Sequence, residues 1–306
     1  MRTKVQNMNA NDARNLAAEK ARKAEARKKA LETMRRNLAA LEARAAEILE
    51  KGDSMTADDR RALLNMIKVS YHDSGKIEGC WSIDGCASCE FCQRMIAAAA
   101  ENELMICGSC YAAADSYKEA AWRRHALNAR ILSSVLFTAE ELTALQIEGE
   151  RCRFNEDGDT VNKTHAQNLL RITFTRPQVS FGYWYKNQPA VEAGLHAEGI
   201  FTRDQLPENI RFIHSSTLIG FPVRPCWHDD AIFTVYPDTA TTLAAVAAGA
   251  HECNGRRCRA CGYTCYLHVR RPEALHIAEI LRCNASQRAV KLAAYYARLE
   301  RLQATA

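Results

Sequence analysis

The sequence lacks the features that mark several large protein classes. None of its apolar runs, in 306 residues, approaches the roughly 20 residues that a membrane-spanning helix needs. The N-terminal stretch MRTKVQNMNANDARN has no apolar segment of the kind found in signal peptides, and it includes an acidic residue. Secretion and organelle import are therefore not expected, and we predict a cytoplasmic protein with no membrane contact.

Several catalytic motifs are also missing. The chain has no Walker phosphate-binding loop, no G-x-S-x-G and no H-E-x-x-H. The hydrolases that depend on those motifs are therefore excluded as interpretations.

Cysteine, in contrast, is abundant, with thirteen residues in the chain. Most of them fall in two short windows, 80–110 and 253–265. A disulfide framework would spread cysteines along the chain, and a reducing compartment disfavours disulfides. The clustering therefore predicts metal binding.

The first window contains Cys80 and then two groups with close spacing. Its expected metal ligands are Cys86, Cys89, Cys92, Cys107 and Cys110. Two C-x-x-C pairs suit a tetrahedral zinc site, whereas three cysteines that leave one iron open suit a [4Fe–4S] cluster. Thiolate favours both metals, so the sequence leaves both alternatives open.

The second window offers four thiols within 13 residues, and its expected ligands are Cys253, Cys258, Cys261 and Cys265. Gly262 directly after Cys261 is typical of a knuckle that turns tightly beneath a metal. Structural zinc and an auxiliary iron–sulfur cluster both fit this spacing. The nearby arginines suit either nucleic acid or an anionic cluster.

The positive charge of the chain lies in its N-terminal arm. Residues 1–51 carry thirteen Lys and Arg against seven Asp and Glu, and the rest is close to neutral. Residues 13–50 are strong helix formers, with a short heptad seam from Leu31 to Ile48. Three interpretations remain open: a helix whose last turns pack on the body, a coiled coil that makes an oligomer, and an arm that contacts nucleic acid.

Strand-like and helical segments alternate from residue 151 onward, which predicts parallel βα units. We expect an α/β fold, a full or partial βα barrel with Cys-rich metal-binding loops and a long N-terminal helix. The expected division is a helical arm at 1–54, a barrel-like domain at 55–285 and a C-terminal helix at 286–306 that packs on the barrel. Two closing helices are predicted, over 273–282 and 285–303.

Polar residues follow the predicted strands, where βα barrels place their active sites. The candidate catalytic residues are Glu156, Asp159 and Lys186. The candidate cofactor-binding residues are Asp159, Asn187, Ser215 and Ser216. Carboxylates there suit an ammonium group, and Lys186 suits an anion.

Seven phrases occur in a fixed order: GKIEG, CGSCYA, RRHALNA, RFNEDGD, PQVSFGYWYKN, NIRFIHSS and HECNGRRCRACGYTC. In that order they resemble a phage-borne family named after gene product eighty-eight of an actinobacteriophage, over roughly residues 70–285. That family is distantly similar to the radical S-adenosylmethionine barrels. The resemblance implies that the protein is found in a bacterial or phage-infected host cell. It also implies a fold, but it does not identify a reaction. The C-x-x-x-C-x-x-C motif of the radical enzymes is absent from this sequence.

Two functions follow as alternatives. The first is a radical-SAM-like enzyme that contains a [4Fe–4S] cluster. It would cleave S-adenosylmethionine and act on an unknown substrate, either a small molecule or a nucleic acid. The second is a protein with zinc in both windows that binds nucleic acid or a partner, through residues 1–51, without catalysis.

Overall fold

The computed structural model describes residues 10–74, 77–85, 90–110, 119–253, 258–262, 264–266 and 273–303. Its strands are β1 (Ser70–His72), β2 (Cys80–Ile83), β3 (Arg151–Phe154), β4 (Ser180–Tyr185), β5 (Ile210–Ser215), β6 (Ala231–Tyr236), β7 (His251–Glu252) and β8 (Leu275–Ile280). Its α-helices are α1 (Ala10–Leu49), α2 (Ala57–Met66), α3 (Glu90–Glu101), α4 (Glu119–Ser134), α5 (Ala139–Leu142), α6 (Lys163–Phe174), α7 (Gln188–Ala197), α8 (Thr239–Ala247) and α9 (Ala285–Gln303).

One eight-stranded sheet organises the chain, with the strand order β1-β2-β3-β4-β5-β6-β8-β7. The β1–β2 pair is antiparallel and every other pair is parallel. Parallel neighbours require crossover connections, and helices α4, α6 and α7 supply them between consecutive strands from β2 to β5. Because such crossovers share one hand, this sequential order places those helices on one face of the sheet. The prediction of an α/β fold is confirmed.

The face beneath the helices holds the main hydrophobic core. Alternate residues of the central strands point into it, and Phe154, Phe181, Tyr183 and Phe212 are fully buried there. Phe154 and Phe181 stack with ring centroids 5.1 Å apart, and the Tyr183 ring meets Phe154 edge-on. Because side chains alternate along a strand, the residues between these point to the opposite face, which we call the cavity face.

The sheet is not a closed barrel, which corrects that part of the prediction. Closure would need β1 to pair with β7, and in the described part of the chain both remain edge strands. The antiparallel β1 ends the parallel series on one side. The two-residue β7 ends it on the other.

The predicted helix over 273–282 is also wrong, because Leu275–Ile280 forms strand β8. This strand pairs with β6 over six residues and with β7 on its other side. Ile277 and Ala278, adjacent in sequence, are buried in clusters on different sides of the sheet. A segment buried on both faces shows no clean alternation, so tertiary pairing decides its structure. The second closing helix, 285–303, is confirmed as α9.

Helix α1 packs only its last turns on the body, as one of the three interpretations expected. Leu38, Ala45 and Ile48 are buried, whereas Leu31 and Met34 are exposed. Glu42 accepts two hydrogen bonds from the Arg123 guanidinium on α4, which fixes the direction of the helix. None of the described helices combines the length and apolar character that crossing a bilayer requires.

The spacings of Thr56 with Asp59 and of Thr138 with Glu141 in the sequence predict capping boxes, both are present, and the second carries a tertiary link. Thr138 caps α5, and its backbone N–H donates to Glu141, whose carboxylate also accepts two hydrogen bonds from Arg60 on α2, at 2.6 and 2.7 Å. The Arg60 hydrogen bonds lower the pKa of Glu141 to about 2, against the opposing effect of burial. A bidentate pair of this kind joins two short helices that have little surface of their own.

We predict that Glu141→Gln lowers the free energy of unfolding at pH 7 by about 1–2 kcal/mol. The wild-type carboxyl has a lowered pKa in the folded state, so its contribution is present above the ordinary value of 4.5. It is lost as pH falls from that value towards 2. Denaturant titrations at several pH values measure the difference, with exposed Glu140→Gln as the control. If the difference in the free energy of unfolding between the wild type and Glu141→Gln stays constant down to low pH, the ion pair of Arg60 and Glu141 does not account for it.

Candidate metal centres around one cavity

The cavity face of the sheet forms one wall of a cavity of about 510 Å³. Strands contribute Arg153, Trp184, Phe233 and Ile277 to this wall. The described cysteines of both windows that line the same cavity are Cys107, Cys110, Cys253, Cys258, Cys261 and Cys265. Two sequence windows more than 140 residues apart therefore open into one space.

The first group of thiols surrounds a lysine at the end of β4. Burial lowers the pKa of Lys186, but Asp159, Cys107, Cys110 and Cys92 act in the opposite direction and raise it overall. Burial raises the pKa of the Cys107 thiol to about 11, and Lys186 is the strongest influence that opposes this rise. The predicted ligands Cys86 and Cys89 lie outside the described residues.

The second group gathers around Cys265. Burial raises the pKa of its thiol to about 12, with further contributions from Cys253 and Cys258, while Arg153 opposes the rise. Cys80 belongs to this group and not to the first window, because it packs with Cys258 and Cys265 around Tyr266. Burial followed by the charge of Cys258 raises the pKa of Cys80 to about 11.

These thiols suit a metal because a bound cation offsets the two effects that keep them protonated, burial and mutual repulsion. Burial disfavours a lone thiolate, and neighbouring thiolates repel one another. A bound cation replaces the protons and screens that repulsion, so binding releases protons at sites of this kind. Each group also has its own basic residue on the cavity face, Lys186 for the first and Arg153 for the second. The donor set therefore fits either a zinc–thiolate or an iron–sulfur centre.

In the part of the chain that the structure describes, no three thiols of the windows have sulfur atoms that all lie within 4.8 Å of one another. Among the described residues, the one group of three whose ligand atoms all lie within 4.8 Å of one another is His214, Cys226 and Asp229. This trio lies outside both windows and is not among the metal ligands predicted from the sequence. Part of the signal was present in CWHDD, residues 226–230, which contains Cys226 and Asp229, whereas His214 comes from β5.

The second window is held against β4 by the close approach of the Tyr266 ring to the backbone of that strand. Ser180 donates a hydrogen bond of 2.6 Å to the carbonyl of Tyr266. The Tyr266 ring lies directly over Gly182, where a Cβ atom would come within 2.8 Å of the ring carbon Cε1. A residue without a side chain is therefore needed at this position of the strand.

The first window is held by α9 and by the loop after β5. Arg288 donates to the carbonyls of Ala99, Asn102 and Met105, at 2.8–2.9 Å. Two of these acceptors lie at the C-terminal end of α3, where carbonyls lack partners within the helix. A Cβ atom at Gly108 would lie 2.4 Å from the Arg288 guanidinium carbon, so the turn closes tightly around this side chain.

Three predicted strand-end residues form structural hydrogen bonds. Asp159 accepts from the backbone N–H groups of Thr160, Lys186 and Asn187, at 2.8–3.3 Å, and so ties the loop after β3 to the end of β4. Asn187 donates from its amide to the carbonyl of Thr160 at 2.8 Å. The Ser216 hydroxyl donates to Phe221 O and accepts from Leu218 N–H.

The remaining strand-end candidates face the cavity. Lys186, Ser215 and Glu156 line it, and so do Asp159 and Ser216 in addition to their structural hydrogen bonds. Glu156 lies 3.2 Å from His72 Nε2, and burial raises the pKa of its carboxyl despite the opposing charge of Arg153. Their catalytic and cofactor-binding roles stay predictions, as do the ligand roles of the cysteines.

We predict that Gly182→Ala pushes the Tyr266 ring off β4 and loosens the second window. If the window binds a metal, as its cysteine spacing predicts, the variant is expected to lose that metal to a chelator at least tenfold faster than the wild type. Metal release followed by a colorimetric chelator measures this rate. The control is Gly199→Ala, where an added Cβ would meet nothing within 4 Å but the positive φ of 74° strains the backbone, so it reports the effect of destabilisation away from the window. Equal release rates from Gly182→Ala and the wild type would show that the close approach does not hold the window.

No protein-family model, curated protein or solved structure matches the chain. The resemblance to the phage family therefore stays a prediction. What the protein does must be argued from its own cavity and side chains.

Proposed function

We propose that this chain is an iron–sulfur protein whose two cysteine windows hold metal–thiolate centres on either side of one substrate cavity. The observation that carries the proposal is the convergence of both windows on that cavity, each beside its own basic residue. A [4Fe–4S] cluster held by thiolates carries net negative charge, and buried positive charge close to it stabilises the reduced state.

The polypeptide supplies an environment for chemistry in the cavity. Lys186 presents a cation at the end of β4, where the charge of Asp159 is the leading influence that raises the pKa of its ammonium group. Asn155, whose side-chain Oδ1 is buried without a hydrogen-bond partner, lines the same space. A cation and an unpaired acceptor suit a small molecule that carries both a carboxylate and a hydrogen-bond donor.

S-adenosylmethionine is the cofactor that we propose for this space. Its amino acid portion carries a carboxylate for Lys186, and an iron of a cluster that lacks a fourth thiolate would bind that portion. Consecutive parallel strands with helices on one face are the repeating unit of a partial βα barrel, and ligands in such sheets bind at the carboxyl ends of the strands. Glu156 and Ser215 would face the bound molecule.

The first test is metal analysis of protein purified without oxygen. We predict about four irons with matching labile sulfide per chain for one [4Fe–4S] centre, and about twice that if both windows hold clusters. Cleavage of added S-adenosylmethionine under dithionite, read as 5′-deoxyadenosine, then tests the cofactor. Protein that contains zinc and no labile sulfide would end the iron–sulfur proposal.

Lys186→Met tests whether the lysine serves a cluster. We predict a reduction potential that is more negative by roughly tens of millivolts, since about 59 mV corresponds to a tenfold change for one electron. Removing a nearby positive charge destabilises the more negative, reduced cluster. Redox titration followed by electron paramagnetic resonance measures the shift, with exposed Lys163→Met as the control. An unchanged potential in Lys186→Met would separate the lysine from the cluster.

The second candidate function is a zinc-stabilised protein that binds nucleic acid. It is favoured by α1, whose described side chains from Ala18 to Asn37 are all exposed and include six arginines and lysines between Lys20 and Lys29. Phosphate contacts release counterions, so binding of this kind falls steeply with salt.

We predict for this candidate that deleting residues 1–35 abolishes the salt-dependent affinity for duplex DNA or structured RNA. Leu38, Ala45 and Ile48 remain in the shortened chain, so the packed part of α1 is preserved. Fluorescence anisotropy at two salt concentrations measures the binding. Retained affinity in the shortened protein would exclude the arm as the nucleic-acid site.

A further inference from the structure

We propose that His214, Cys226 and Asp229 form a third metal site, for a single zinc-like ion, on the helix-covered face of the sheet. His214 lies on β5, and the other two residues lie in the loop that leads to β6. Their ligand atoms lie within 4.8 Å of one another. The site shares no residue with the cysteine windows and is independent of the function proposed for them.

The distances fit tetrahedral coordination. From zinc–ligand bonds of about 2.0–2.3 Å, tetrahedral geometry places a nitrogen and an oxygen about 3.3 Å apart and a sulfur and a nitrogen about 3.6 Å apart. His214 Nδ1 lies 3.3 Å from Asp229 Oδ2 and 4.0 Å from Cys226 Sγ. The nitrogen and oxygen already stand at the required separation, and the separation of sulfur and nitrogen must shorten by about 0.4 Å.

The three ligands are held in place by their surroundings. The Tyr185 ring stacks on the His214 imidazole with centroids 4.7 Å apart and an interplanar angle of 17°. The Tyr185 hydroxyl donates to Asp229 Oδ1 and contacts His228 Nε2 at 2.8 Å. The Cys226 backbone N–H donates to Asp229 Oδ2 at 2.7 Å, which leaves that oxygen a second lone pair for a metal. Hydrogen bonds of this outer kind orient the ligands of protein metal sites.

The donor set selects the class of metal. One thiolate, one imidazole and one carboxylate suit Zn²⁺ or another late transition metal, whereas Mg²⁺ and Ca²⁺ prefer oxygen ligands alone. Three protein ligands leave a fourth position for water or for Glu192, a half-buried carboxylate on α7 whose charge acts on Cys226. Binding releases the thiol proton, and His214 binds the metal through Nδ1 with its own proton on Nε2.

A hydrogen-bonded pair of His214 and Asp229 without any metal is the competing explanation. It accounts for the 3.3 Å contact, and it allows a weak hydrogen bond between the Cys226 thiol and His214 Nδ1, which lie 4.0 Å apart. His228 supplies a further observation, because its Nδ1 atom is fully buried with no hydrogen-bond partner. A buried cluster built for hydrogen bonding alone would satisfy such an atom.

The first experiment counts metal in the full chain. Wild type, Cys226→Ala and Cys152→Ala are purified in the same way, loaded with Co²⁺ and analysed for cobalt per chain. Cys152 is a fully buried thiol outside the site and both windows, so its variant is a matched loss of one cysteine. We expect Cys226→Ala to bind one cobalt fewer than the other two proteins. A folded Cys226→Ala that binds as much cobalt as Cys152→Ala would overturn the site.

The second experiment reads the wild-type thiol and does not depend on a Cys→Ala variant that folds. Cys226 is alkylated with iodoacetamide with and without Zn²⁺, and its peptide is quantified by mass spectrometry. We expect Zn²⁺ to slow the modification at least tenfold in the wild type and to have no effect in Asp229→Asn. An equal rate in the wild type with and without Zn²⁺ would overturn the proposal.

Discussion

A buried thiol does not lose its proton near neutral pH unless a cation takes the proton's place. This constraint connects the buried cysteines of the cavity with the basic residues beside them. Burial is the leading cause of the raised pKa at Cys80, Cys107 and Cys265. Without a metal these sulfurs are protonated and serve only as small apolar groups. With a metal they become anionic ligands, and the positive charges of Lys186 and Arg153 then offset part of the cost of burying them.

The same constraint explains how firmly the two windows are attached to distant parts of the chain. Short cysteine-rich loops have little hydrophobic surface with which to fold by themselves. The first window takes its position from Arg288 on α9, which fills carbonyl acceptors left free at the end of α3. The second rests on β4 through Tyr266, where Gly182 lets the ring approach the strand. The sheet therefore serves as a rigid support that brings both windows to one cavity.

Local sequence signals predicted much of this structure. The capping boxes at Thr56 and Thr138, the helix over 285–303 and the strands from Arg151 to Tyr236 depend on residues close together in the chain. The failures depend on residues far apart. Strand β8 takes its conformation from pairing with β6, and Cys80 joins a window more than 170 residues later in the chain. The register that leaves the sheet open is likewise a property of the whole sheet.

The alternation of side chains along β4 and β5 places the two kinds of candidate site on opposite faces. Trp184 faces the cavity, and its neighbour Tyr185 holds Asp229 on the helix-covered face. On β5, Ser215 likewise faces the cavity, and its neighbour His214 contacts Asp229 on the helix-covered face. Because strand geometry fixes this two-residue period, a change in the position of either strand end moves residues of both sites together. The trio that includes His214, and the cavity residues Lys186 and Ser215, therefore depend on the ends of the same two strands, although the two candidate sites have no side chain in common.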